Sequence, residues 1–111
     1  MAFFEHTIET AELAQHLTDP NLVIFDCRFD LMKPGWGRDE YPSGHIPGAI
    51  YVHLDHDLSG PVTPATGRHP MPDPAMFIAR LSSWGITAGK QVVVYDSAGG
   101  AFASRLWWML H

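Results

Sequence analysis

Apolar and polar positions alternate along this chain in blocks whose periods read as short helices and buried strands. From Glu9 to Leu17, Leu13, Ala14 and Leu17 recur with helical spacing. Thr7 or Thr10 is placed to cap that helix, Glu12 suits its first turn, and Asp19-Pro20-Asn21 stops it. Leu22-Val23-Ile24-Phe25 is a continuous apolar run, the mark of a strand buried on both faces. Ala49 to Val52 reads as a second short strand and Gln91 to Tyr95 as a third, central one. Between them, Ala75 to Trp84 predicts a helix with Phe77, Ile78, Leu81 and Trp84 on one face, ended by Gly85, which takes a left-handed conformation readily. Helices alternating with continuous apolar strands predict α/β layers around a small parallel sheet. The stretches Asp30 to Ser43 and Leu58 to Pro74 read as long irregular loops, the second with five prolines. Loops of that length in a small domain are usually functional or interfacial.

The last block, Ala103 to Leu110, predicts a helix, with Leu106, Trp107, Trp108, Met109 and Leu110 in succession. Adjacent helical positions point about 100° apart, so at most one of the two tryptophans reaches the centre of the domain's own core. A helix apolar on all sides needs cover on more than one side. The expectation is therefore an incomplete domain, or one that self-associates through this helix.

Composition narrows the class. At 111 residues the chain is one domain, 1–111, with 46% hydrophobic and 17% charged residues, which fits a globular protein. A formal net charge of −5 argues against a nucleic-acid partner. No apolar run approaches the roughly 18 residues a membrane span requires, and Met1 to His6, with no basic region and no long apolar stretch, does not read as a secretory signal. A single cysteine, Cys27, leaves no internal disulfide and fits a reducing compartment, so a cytoplasmic location is expected.

The chemistry concentrates after the central strand. Gln91 to Tyr95 runs into Asp96-Ser97-Ala98-Gly99-Gly100-Ala101-Phe102 and then the last helix. Strand, small-residue loop and helix start together converge backbone N–H groups on one point. A thiol at the first loop position would be pushed toward thiolate there. That position holds Asp96. An aspartyl nucleophile of the phosphatase type needs a second aspartate two residues on, where Ala98 stands, and a cysteine-dependent phosphatase needs a thiol in the loop. Asp96 is thus expected to accept backbone N–H bonds or to cap the helix, with Gly99 and Gly100 shaping the loop around it. Cys27 lies between Asp26 and Arg28 and reads as a small buried hydrophobe. His53, Asp55, His56 and Asp57 read as a solvated turn, Asp55 or Asp57 capping it, with no metal expected there or elsewhere and no cofactor. Trp36, Arg38, Arg68, His69, Arg105, Trp107 and Trp108 are aromatic and basic groups beyond what a small core needs, the residue types of interface anchors.

Tyr41-Pro42-Ser43-Gly44-His45-Ile46-Pro47-Gly48-Ala49 resembles the HIPGA signature of the rhodanese superfamily. Asp26-Cys27-Arg28, Gly67-Arg68-His69-Pro70-Met71-Pro72, the VVVYD strand and the Ser104-Arg105-Leu106-Trp107-Trp108 helix extend the likeness from about Thr10 onward. The last two features resemble the N-terminal half of tandem thiosulfate and 3-mercaptopyruvate sulfurtransferases. The resemblance implies a rhodanese-like three-layer domain, lacking its C-terminal strand and helix, whose partner is a second rhodanese domain bearing the catalytic cysteine. It implies a small anionic sulfur donor and no catalytic residue in this chain. His45 matches a histidine that some mercaptopyruvate members use together with an upstream acid, for which Asp39 is the nearest match. Trp36, Arg38, Asp39, His45, Arg68, His69, Arg105, Trp107 and Trp108 are candidates for a substrate cleft or interdomain face. The alternative is a non-catalytic rhodanese-like binding or regulatory module.

Overall fold

The computed structural model describes residues 7–110. Three parallel strands, β1 (Leu22–Asp26), β2 (Ile50–Tyr51) and β3 (Gln91–Tyr95), form a sheet in the order β2-β1-β3. All five residues of β1 pair with β3, from Leu22 opposite Gln91 to Asp26 opposite Tyr95. Only the end of β1 pairs with β2, Phe25 opposite Ile50 and Asp26 opposite Tyr51. Successive side chains of a strand face opposite ways, so β1 serves two cores. Ile24 packs with Leu13, Ala49 and Val93 on the side of α1 (Thr10–Ala14). Phe25 packs on the other side with Phe77 of α3 (Pro74–Ser83), with Ala103 and Leu106 of α4 (Ala103–Met109), and edge-on against Trp84 at 5.2 Å. The continuous apolar run of β1 is explained by these two cores.

Several elements depart from the sequence pattern. The first helix is one turn long: past Ala14 the chain tightens to i−3 bonds, Gln15 N–H to the Glu12 carbonyl and His16 N–H to that of Leu13, and its N-cap is Glu9, without a side-chain cap bond. Thr10 is the first helical residue and so lies past the capping position. The stretch 30–43 is not wholly irregular: it holds α2 (Trp36–Glu40) and a 3₁₀ turn over Tyr41–Ser43. Gly35, Gly37 and Pro42 hide this helix in the sequence. Gly37 serves close packing, since a Cβ there would lie 1.8 Å from the Arg28 carbonyl oxygen. In α3, Asp73 caps the start by accepting from the Met76 N–H at 3.2 Å, with Pro74 following it. Ile78 is 61% exposed, so the buried stripe of α3 is narrower than its periodicity suggests. In α4 the buried position is Leu106, while Trp107 and Trp108 are 44% and 63% exposed.

Because the strands are parallel, the loops after β1, β2 and β3 leave the same edge of the sheet. In open α/β sheets that edge is where sites form. No helix among the described residues is long and apolar enough to cross a membrane.

Candidate functional site

The loop after β3 closes on its own first residue. Asp96 Oδ1 accepts the N–H groups of Ala98 and Gly100, and Oδ2 those of Phe102 and Ala103, all four at 2.8 Å. Gly99 and Gly100 have φ of 68° and 91°, a left-handed pair that side-chain-bearing residues resist and that curls the loop back on its first residue. The carboxylate is the cradle's anion. Burial alone would raise its pKa, but the four N–H bonds outweigh that and hold it below the ordinary aspartate value.

Cys27 lies at the end of β1, 2% exposed, its N–H bonded to the Tyr95 carbonyl at 2.8 Å. Burial, then the charges of Asp26 and Asp96, push its thiol far above the usual range. A thiol so placed stays protonated and is a poor nucleophile.

The HIPGA segment is anchored from below by a buried carboxylate. Asp26, fully buried, accepts two bonds from Arg28 Nε and one from Nη2, the last at 2.8 Å, and a further bond at 3.0 Å from the Tyr95 hydroxyl. Burial pushes the Tyr95 phenol up to about 12, so the hydroxyl keeps its proton and can donate. Arg28 Nη2 also donates to the Gly44 carbonyl at 2.7 Å, and Tyr95 Oη accepts from the Ile46 N–H at 3.2 Å. The two residues flanking His45 are therefore tied to one carboxylate. His45 itself is exposed and stacks on Tyr41, ring centroids 3.7 Å apart. Its Nδ1 is 2.6 Å from the Tyr41 carbonyl oxygen, which only accepts, so Nδ1 carries a hydrogen. The Tyr41 hydroxyl in turn donates to the Ala49 carbonyl.

The remaining candidates fall into separate groups. Arg38 and Asp39 are exposed on α2, where Trp36 is half-buried. No hydrogen bond joins Asp39 to His45. Arg105 spends its guanidinium on the 58–71 loop: Nε donates to the Leu58 carbonyl at 3.0 Å, and Nη2 to those of His69 and Pro70 at 2.8 and 3.1 Å. His69 pairs with Asp55 at 3.0 Å, and Arg68 is exposed beside it. In the turn after β2, Asp57 accepts the His53 N–H at 2.7 Å, while His53 Nδ1 faces the N–H groups of Asp55 and His56. Asp26, Tyr95 and Tyr41 are structurally central yet were not marked by the sequence as site residues. Their one signal is position, at strand ends and four residues before His45.

A family model described as the rhodanese-like domain matches residues 9–111. The chain belongs to the rhodanese-like domain family. This rhodanese-like domain is 50% identical over 101 residues to the Pseudomonas aeruginosa protein named "Probable 3-mercaptopyruvate sulfurtransferase", covering 90% of this chain and 36% of that one. It is 35% identical over 102 residues to 3-mercaptopyruvate sulfurtransferase of Escherichia coli, covering 88% and 34%. Among solved structures, 3-mercaptopyruvate sulfurtransferase from Leishmania major superposes with a TM-score of 0.84 at 36% identity, covering 93% of this chain and 28% of that one. The rhodanese-like domain thus spans about a third of the length of the curated relatives it matches.

Proposed function

We propose that this domain is a non-catalytic half of a tandem sulfurtransferase, the reacting cysteine lying in a second rhodanese domain. The whole protein would move sulfane sulfur from thiosulfate or 3-mercaptopyruvate to cyanide or a thiol acceptor, in the cytoplasm. The observation that carries this reading is the Asp96 carboxylate held by four loop N–H groups. Those N–H groups would otherwise stabilise a reacting sulfur or an anionic donor, and here they are already engaged. The buried, protonated Cys27 supports the same conclusion, and the names of the relatives support sulfur transfer as the whole protein's activity.

In this reading the domain supplies one wall of a cleft and stability to the whole. The exposed indoles of Trp107 and Trp108 and the His45 turn are the surfaces offered to the second domain.

The test is thiocyanate formation from thiosulfate and cyanide by the 111-residue chain. The expected result is no turnover above the uncatalysed rate. Turnover comparable to that of a complete two-domain sulfurtransferase, abolished by Cys27→Ser, would overturn the proposal.

A further inference from the structure

The 58–71 loop brings together a cavity, a strained residue and an orphaned polar atom. Arg105 holds the carbonyls of His69 and Pro70, and this fixes the backbone on which His69 sits. His69 has φ of 49°, the sole positive value at a non-glycine residue among the described residues. Such conformations persist where the surroundings enforce them. Its Nδ1 lies 3.0 Å from Asp55 Oδ1. An ionised carboxylate only accepts, so Nδ1 carries a hydrogen, and in that tautomer of the imidazole Nε2 presents a lone pair. That Nε2 is buried and has no hydrogen-bond partner among the described residues. Native interiors rarely leave such an acceptor unpaired.

Beside it lies a cavity of about 270 Å³. Phe29, Leu31 and Val62 form apolar walls, and Asp55, Arg68 and His69 supply the polar ones. Arg68 is exposed and makes no hydrogen bond or ion pair among the described residues. Among the described residues, one cation without a partner, one acceptor without a donor and a small apolar wall define a complementary ligand.

We infer that this cavity binds a small hydroxycarboxylate. The Arg68 guanidinium holds the carboxylate through its planar fork, and the ligand hydroxyl donates to His69 Nε2. The short carbon chain lies against Phe29, Leu31 and Val62. Asp55 on the same wall repels a second negative charge, which selects a monoanion over a dianion such as sulfate. A hydroxyl suits Nε2 better than a thiol because S–H is the weaker donor. Nε2 is itself covered, so binding includes a local side-chain rearrangement that opens it to the ligand. This inference does not rest on the sulfur-transfer reading, because it is tested by binding alone.

The experiment is a titration of the 111-residue chain with lactate, followed through the His69 imidazole nitrogens by NMR, with propionate as the probe that lacks the hydroxyl. The expected result is a saturable shift of Nε2 with lactate and about tenfold weaker binding of propionate. Arg68→Ala and His69→Asn should each weaken lactate at least about tenfold. Asparagine tolerates positive φ, so His69→Asn keeps the backbone, and an unchanged melting temperature confirms that the fold is intact. Absence of saturation at any accessible lactate concentration would overturn the inference. So would equal affinity for lactate and propionate, or undiminished lactate binding in both variants.

Discussion

The Asp96 carboxylate completes four backbone hydrogen bonds that no other side chain supplies. Replacing it by alanine leaves several N–H groups of a half-buried loop without their charged acceptor. Hydrogen bonds to a charged group contribute about 1.5–3 kcal/mol and a helix cap about 1, and the four share one carboxylate and partly rewet. Asp96→Ala should therefore lower stability by about 2–3 kcal/mol in urea unfolding. Asp96→Asn keeps one oxygen and should fall between the two. The folded-state pKa is depressed, so the carboxylate's contribution is present above the ordinary value of 3.8 and is lost as pH falls through the lower folded value. The gap between wild type and Asp96→Asn should accordingly close in acid, and a gap unchanged between neutral pH and pH 3 would contradict this assignment. Asp96 was legible from sequence because everything that defines its role lies within seven residues. Arg105 was not: its acceptors Leu58, His69 and Pro70 are 47, 36 and 35 positions away, and nothing local to α4 distinguishes a loop clamp from a ligand-binding arginine.

The turn that follows β2 is built on a neutral histidine. His53 is 4% exposed, packs edge-on to Phe29 at 5.3 Å and lies 4.2 Å from the His56 ring. Its Nδ1 faces the N–H groups of Asp55 and His56, so a proton on Nδ1 would confront donors. Burial, and then the neighbouring His56, lower its pKa from 6.5. In the unfolded chain the same histidine protonates near 6.5, so the unfolded state takes up the proton first as pH falls. Stability due to His53 is therefore full above that pH and declines below it, toward the folded pKa. His53→Asn keeps a side-chain oxygen to accept the turn N–H groups without a titrating ring. The variant should lose part of the fall in melting temperature between pH 7 and pH 5 that the wild type shows, and parallel curves for the two proteins would refute it. Elements with one strong period, β1, α3 and β3, were readable in the sequence. Helix α2 was not, because Gly35, Gly37 and Pro42 are breakers by propensity, and Gly37 is needed for packing against Arg28. The exposure of Ile78 was not readable either, since the width of a buried stripe depends on how many neighbours cover a helix.

Taken as a whole, the described chain leaves apolar surface uncovered along one side. β3 pairs with β1, and among the described residues no strand pairs with its other edge. A cavity of about 560 Å³ runs beside it, lined by Leu13, Ile46, Ile86, Val92, Trp107 and Leu110 among others. Trp108, the next residue of α4, adds a second exposed indole, 63% in water. Unpaired strand edges and contiguous apolar patches favour association, and full burial of one large side chain is worth roughly 1.5–3 kcal/mol. The 111-residue chain should therefore associate reversibly in solution, with a sedimentation coefficient that rises with concentration. Trp108→Glu places a charge on the exposed side of α4 without touching Leu106, which is fully buried. It should shift the chain toward monomer while leaving the far-UV spectrum unchanged. Trp107→Glu should act in the same direction and also disturb the β3 groove that Trp107 lines. A chain that stays monomeric at high concentration, melts cooperatively at high temperature and is indifferent to Trp108→Glu would show that this side needs no cover.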